Sequence, residues 1–214
     1  MRSGRGRRAL DKGCRVRVAI ADYGAGNVSS VAAALERAGA EPFLTIDPAA
    51  VLEAPLALVA GVGHVESAAR GLAVTGLDDA LRERVAAGRP VFGICVGMQL
   101  LFEESEEGGR GLGLLRGPVR RLHARRVPHM GWNELAVANG STLLAGLDGV
   151  DAYFAHGYAA EPEAAALAAT TDHDGPLAAA VELGAVGGVQ FHPERSAAAG
   201  ALLLRNLLAW SRSA

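Results

Sequence analysis

Three apolar runs in the first half of the chain each stop in a glycine-rich turn, and this repetition narrows the possible folds more than any other feature. Arg15 to Ala21 (RVRVAIA) enters DYGAGN at Asp22 to Asn27, Leu56 to Ala60 enters Gly61 to Gly63, and Pro90 to Ile94 enters Cys95. Segments with helical spacing stand between them: Val28 to Ala38, with Asn27 as a candidate cap, and Leu77 to Ala87, ending at Gly88. A short strand is expected near Pro42 to Ile46. Buried strands alternating with helices specify a doubly wound parallel sheet of the α/β class. Past about Gly117 the pieces shorten, with strands expected at Asn133 to Val137, Asp151 to Ala155, Leu177 to Leu183 and Ala185 to Gln190, and then a closing helix over Ala197 to Ser211. The second half should therefore add antiparallel strands at one edge. The expectation is a single domain with an open, mostly parallel but mixed sheet flanked by helices.

Composition excludes several classes of function. With 214 residues, 50% hydrophobic and 21% charged, the chain can bury a full-sized core, and disorder as the main state is excluded. Its apolar stretches are broken before the ~18 residues needed to cross a bilayer, and the basic start lacks an apolar cleavage segment. The reading is a cytoplasmic protein with no membrane partner. Net charge is −2, but Met1 to Arg17 holds seven basic residues against Asp11, leaving a body of 14 basic and 22 acidic residues. Residues 1–14 are set apart as a basic leader, disordered or the product of a start codon assigned too early, and 15–214 as the domain. An acidic body without a basic stripe argues against nucleic acid as a partner.

Two cysteines, Cys14 and Cys95, are too few for a disulfide framework. The six histidines show no HExxH motif and no pairing with cysteine, so no metal site is expected. GAGN at Gly24 to Asn27 lacks the third glycine of a dinucleotide fingerprint, and there is no GxxxxGK[ST] phosphate loop. No cofactor is expected.

The chemistry concentrates in two places. Val91 to Leu101 reads VFGICVGMQLL, with Gly93, Cys95 and Gly97 at alternate positions between a buried strand and an apolar helix. This is a G-x-nucleophile-x-G pattern with sulfur in place of oxygen, and the tight bend needs small residues two positions either side of the nucleophile. Helix N–H groups at such a bend favour thiolate over thiol. A lone buried cysteine is more often a small packed hydrophobe, but GGVQFHPE at Gly187 to Glu194 supplies a partner. There, a second buried strand ends in His192, which can move the thiol proton, and Glu194, which can hold its other ring nitrogen. Both groups sit at strand ends, where a parallel sheet can bring them together.

These segments resemble the class I (triad) glutamine amidotransferases, through GICVGMQLLFEE at Gly93 to Glu104 and VQFHPE at Val189 to Glu194. DYGAGN, GVGH at Gly61 to His64 and VPHMGWNEL at Val127 to Leu135 are similar, more narrowly, to the glutaminase subunits of imidazole glycerol phosphate synthase in histidine biosynthesis. The resemblance runs from about Val16 to the C-terminus. It implies that Cys95 attacks the side-chain amide of glutamine to form a thioester, with His192 as general acid and base and Glu194 orienting it. Backbone N–H groups of Val96 and of the Val62–Gly63 turn would form the oxyanion hole. Gln99, Glu107, Gly157 and Tyr158 would bind substrate.

It further implies a heterodimer with a (β/α)8-barrel cyclase subunit that receives the ammonia. Asn27, His129, Met130, Trp132, Asn133, Tyr153 and Arg195 are the interface candidates, with Trp132 the main anchor. Three positions depart from the family pattern: Ala60 stands for a proline, Gly157 for serine or threonine, and Arg195 for lysine. Two alternatives stay open, namely a catalytically silent interaction subunit of the same complex and another cysteine amide hydrolase.

Overall fold

The computed structural model describes residues 15–24, 28–138 and 140–213; the leader, Cys14 and Asn27 lie outside them. The chain opens with β1 (Arg17–Ala21), α1 (Val28–Ala38), β2 (Glu41–Thr45), α2 (Pro48–Glu53) and β3 (Leu56–Gly61). It continues through α3 (Val65–Thr75), α4 (Leu77–Ala86), β4 (Val91–Cys95), the single turn α5 (Val96–Gln99) and the short β5 (Glu104–Ser105). The second half holds β6 (Pro118–Arg121), β7 (His129–Glu134), β8 (Ala136–Val137), β9 (Asp151–His156), β10 (Tyr158–Ala160), β11 (Leu167–Asp172), β12 (Pro176–Leu183) and β13 (Val186–Val189). A 3-10 turn, Pro193–Arg195, leads into α6 (Ala197–Trp210).

The main sheet has eight strands in the order β2-β1-β3-β4-β13-β12-β11-β8. The first five are parallel, and β12, β11 and β8 join antiparallel, which is the mixed edge expected from the shortened second-half pattern. β3, β4 and β13 are buried along their whole length, as strands covered on both faces must be. Helices α1 and α6 pack on one another, α4 packs on α2 and α3, and the sheet lies within one continuous apolar core. Beside the main sheet, β10, β6 and β5 form a three-stranded sheet, and β7 pairs with β9 antiparallel.

Several elements differ from expectation. The strand expected over Asn133 to Val137 is two strands in different sheets: β7 ends at Glu134, Leu135 turns fully into the core, and β8 restarts on the main sheet. Helix α2 has a plain local cause, since the Asp47 side chain accepts from the Ala49 N–H and Pro48 takes the first turn. Helix α3 carries Gly71 at mid-length, which reads as a breaker; a Cβ there would lie 2.4 Å from the Tyr23 carbonyl oxygen, so close packing on the β1 turn requires it.

On α4, Arg84 is fully buried, and its guanidinium donates to the carbonyls of Pro90 (2.9 Å), Val51 (2.7 Å), Leu52 (3.1 Å) and Pro55 (2.9 Å). Burial, and then the nearby Arg89 charge, lower its pKa to about 10, which leaves it charged at neutral pH.

Candidate active site

The centre of the site is the bend between β4 and α5. Cys95 there has φ 54° and ψ −112°, a conformation that side-chain-bearing residues rarely adopt and that must be held by its surroundings. Glycines do the holding. A Cβ on Gly93 would lie 2.5 Å from the Gly97 carbonyl oxygen, and one on Gly97 would lie 1.8 Å from the Val59 carbonyl oxygen on β3. On the other side, a Cβ on Gly188 of β13 would meet the Met98 Cγ at 2.8 Å. The turn of helix after the sulfur is thus pressed onto the backbones of both neighbouring strands, which only glycine permits.

β13 runs parallel to β4 with Val189 opposite Ile94, so the two strands deliver their ends to one place. His192 follows β13 at the end beside Cys95, and its Nδ1 lies 2.9 Å from Glu194 Oε1. Burial opposes the charged imidazole. The hydrogen bonds to Cys95 and Glu194, backed by the charges of both, override that and raise its pKa from 6.5 to about 10. An imidazolium between a sulfur and a carboxylate is the favoured state.

The segment carrying it is pinned to β9. The His192 N–H donates to the Tyr153 carbonyl (2.8 Å), the Ser196 hydroxyl donates to the His192 carbonyl (2.7 Å), and the same hydroxyl accepts from the Tyr153 N–H (3.0 Å).

A pocket of about 190 Å³ opens over Cys95, lined by Val62, Gly63, Val96, Gln99, Glu107, His156, Gly157 and Tyr158, with Met130 at its rim. It falls below the ~300 Å³ where drug-sized pockets begin, which suits a ligand the size of a free amino acid. Val62 and Gly63 follow the end of β3, and the Tyr23 hydroxyl donates to the carbonyl of Ala60 (2.9 Å), so the non-proline residue there is still tied down. Glu107 accepts from His64 Nδ1 (2.9 Å) and from the Val65 N–H (2.8 Å) at the start of α3. Gln99 is buried and donates to the Tyr158 carbonyl (2.9 Å) and to Gln190 Oε1 (3.0 Å). At Gly157 an added Cβ would meet Val127 Cγ1 at 3.9 Å and nothing closer, so the missing hydroxyl is not excluded by space.

The interface candidates divide. Trp132 (51% exposed) and Met130 (65%) project from β7 beside the pocket. Trp132 meets the Tyr153 ring edge-on at 5.9 Å, and the Arg195 guanidinium covers that ring at 4.2 Å, so these three form one continuous face. His129, expected on this face, does not belong to it. β7 alternates in and out, and His129 takes an inward position, 1% exposed, stacked on Phe154 and His173. Asn133 is half-buried and gives its amide N–H to the Asp172 carbonyl (2.7 Å).

Sequence reasoning did not single out Gln190, His156, Tyr23 or His64, all of which touch the site or the residues shaping it. Gln190 lies inside VQFHPE, two positions before His192, and its place in that motif was the available signal. Among the described residues, no group of three or more His, Cys, Asp or Glu side chains is arranged to hold a metal ion, and no helix is long and apolar enough to cross a membrane.

Comparison with known proteins agrees with this geometry. The family model for class-I glutamine amidotransferases matches residues 19–209. The chain is 48% identical to the imidazole glycerol phosphate synthase subunit HisH of Mycobacterium leprae, over 89% of this chain and 96% of the relative. It is also 48% identical to the HisH subunit of Xanthomonas axonopodis pv. citri, over 91% and 98%. A crystal structure of a glutamine amidotransferase shares the fold, with a TM-score of 0.73 at 22% identity over 90% of this chain and 98% of that one. The PurLQS structure from Thermotoga maritima does so at 0.71 and 21%, over 92% and 99%. The chain belongs to the class-I glutamine amidotransferases and, among them, to the HisH subunits of imidazole glycerol phosphate synthase.

Proposed function

We propose that this chain hydrolyses L-glutamine to glutamate and passes the ammonia to a cyclase subunit that completes imidazole glycerol phosphate synthesis. The observation that carries the reading is the convergence of Cys95, at the end of β4, and a His192 imidazole held by Glu194, at the end of the neighbouring β13, beside a pocket sized for an amino acid. The thiolate attacks the side-chain amide carbon, and the tetrahedral oxyanion takes the backbone N–H of Val96 and the Val62–Gly63 turn; one such donor is worth ~2.7 to 4 kcal/mol. As the C–N bond breaks, the imidazolium gives its proton to the leaving nitrogen, which departs as ammonia. Water then attacks the thioester carbon and loses its proton to His192, which restores the thiolate and imidazolium and frees glutamate. Gln99, Glu107 and the backbone at Gly157 and Tyr158 hold the amino-acid end of the substrate.

Ammonia that meets bulk water becomes ammonium and loses its lone pair, so release must face a covered passage. The face built by Met130, Trp132, Tyr153 and Arg195 beside the pocket supports docking of a barrel-shaped cyclase there, with Asn133 at its margin. A reduced thiol as nucleophile suits the cytoplasm. The test is glutamine hydrolysis by wild type and Cys95→Ala with the cyclase present. Loss of turnover in the variant is expected, and equal rates would reject the reading.

A further inference from the structure

Gln190 is fully buried, and the proposed reaction leaves it without a task. Its side chain contacts two groups: its Oε1 lies 3.0 Å from Gln99 Nε2, and its Nε2 lies 3.7 Å from the Cys95 sulfur. The orientation of both amides follows from their surroundings. The Tyr158 carbonyl can only accept, so the end of Gln99 that meets it at 2.9 Å is its NH2 group. That same nitrogen faces Gln190, which must present its oxygen. The nitrogen of Gln190 is therefore left to face the sulfur, and it can only donate.

Gln190 and His192 stand two positions apart on the bend that follows β13, and Gln190 reaches the Cys95 sulfur at the end of β4. His192 can give its proton away during turnover, whereas an amide N–H cannot. The two contacts on the sulfur thus differ in kind: one is mobile and one is permanent.

We propose that Gln190 is a further catalytic residue of the glutaminase reaction, a fixed N–H donor to Cys95 that stabilises the sulfur whenever it carries charge, wherever the His192 proton stands. The donor matters most at two moments. The first is the attack, when sulfur carries charge. The second is the collapse of the second tetrahedral intermediate, when sulfur leaves the acyl carbon as thiolate and regains that charge. In the thioester the sulfur is a poor acceptor, so the bond weakens there and favours leaving over staying. Gln99 then has a second role beside the substrate, because its NH2 group fixes which end of Gln190 meets the sulfur.

The inference rests on reading Cys95 as the nucleophile, and the experiment separates the two. Iodoacetamide alkylation of the full-length chain is followed against pH, with Cys95→Ala defining the label that belongs to Cys95. Gln190→Met keeps the length and removes the donor. The midpoint of alkylation should move up by at least about half a pH unit, and kcat with the cyclase present should fall about tenfold or more with KM nearly unchanged. A midpoint equal to wild type removes Gln190 from the mechanism while leaving Cys95 in place; no label on Cys95 in wild type overturns both readings.

A second measurement needs no variant of Gln190. Its side-chain amide resonances should titrate with the Cys95 alkylation midpoint in wild type and stand still over the same range in Cys95→Ala. Resonances that ignore the thiol in wild type would refute the contact even if Gln190→Met failed to fold.

Discussion

His129 Nδ1 lies 3.0 Å from His156 Nε2, and the outer nitrogen of each ring faces a carbonyl-type oxygen: Tyr158 O at 2.8 Å from His156, and Asn133 Oδ1 at 3.0 Å from His129. Asn133 cannot turn its nitrogen toward His129, because that nitrogen is given to the Asp172 carbonyl. Three contacts each call for a hydrogen, and two neutral imidazoles carry two. A third proton would complete the chain, but it would have to be buried.

Burial prevails in that competition. It is the main reason the His156 pKa falls to about 3, helped by the charges that His129, His173 and His192 would carry; His129 is lowered too, again chiefly by burial. Above pH ~6.5 the pair is neutral whether folded or unfolded; below it the unfolded chain takes up protons that the fold refuses. Stability should therefore fall on acidification from ~6.5 towards 3, by up to ~1.4 kcal/mol per pH unit for His156, with His129 adding in the same direction. Urea unfolding at about pH 7.5 and about pH 5 checks this. His156→Asn, although weaker at the higher pH, should lose less between the two than wild type does, and equal losses would contradict the assignment.

His192 is expected to behave in the opposite sense. Its pKa is raised by Cys95 and Glu194 against the pull of burial, so its contribution to stability is complete below pH ~6.5 and is lost as pH climbs towards about 10. Glu194→Gln removes one of the two supports and lets burial act. The alkaline decline should shrink, and glutamine turnover with the cyclase should drop by ~10² to 10⁴, as when the orienting carboxylate of a serine triad is neutralised. Turnover within a factor of about two of wild type would deny Glu194 its orienting part.

Glycine substitutions in and around the site should separate sharply. Gly97→Ala drives a methyl into the Val59 carbonyl and should cost more than ~2 kcal/mol, because backbone has to move. Gly157→Ser meets open space and should change stability by less than ~0.5 kcal/mol. Thermal denaturation of the two variants side by side is the measurement. If Gly97→Ala melts with wild type, the close approach of β3 to the bend is wrong.

Trp132 offers a contrast between folding and docking. Half exposed and packed edge-on against Tyr153, it should cost under ~1 kcal/mol of stability when changed to alanine. Cyclase affinity should suffer by ~2 kcal/mol or more, about thirtyfold in Kd, if this face is the docking surface. Calorimetric titration of the variant with the cyclase decides it; undiminished affinity would move the interface elsewhere.

The elements carried by local pattern were readable in advance, and those decided by distant contacts were not. Helix α1 begins and ends where its periodicity says, and the three buried runs of the first half became β1, β3 and β4. Helix α3 was invisible because Gly71 serves a contact with Tyr23, which lies 48 residues earlier in the chain. The HMGWN segment reads as motif rather than as strand, which hides the in-out alternation of β7 and puts His129 on the surface. Arg84 would pass for a solvent-facing helix residue, since only the arrival of four carbonyls from other segments explains its burial. Within the site, residues tied to their neighbours by motif, such as Cys95, His192 and Glu194, were legible. Gln190 was not, because its importance lies in which end of an amide points at sulfur.

The nucleophile and its base come from strands that are neighbours in the sheet yet 97 positions apart along the chain, so β4 is synthesised well before β13. A nascent or truncated chain that has built the first four strands holds a cysteine but no glutaminase. The sulfur gains its imidazole only with the last parallel strand beside β4, so the site cannot be complete in any chain that lacks β13.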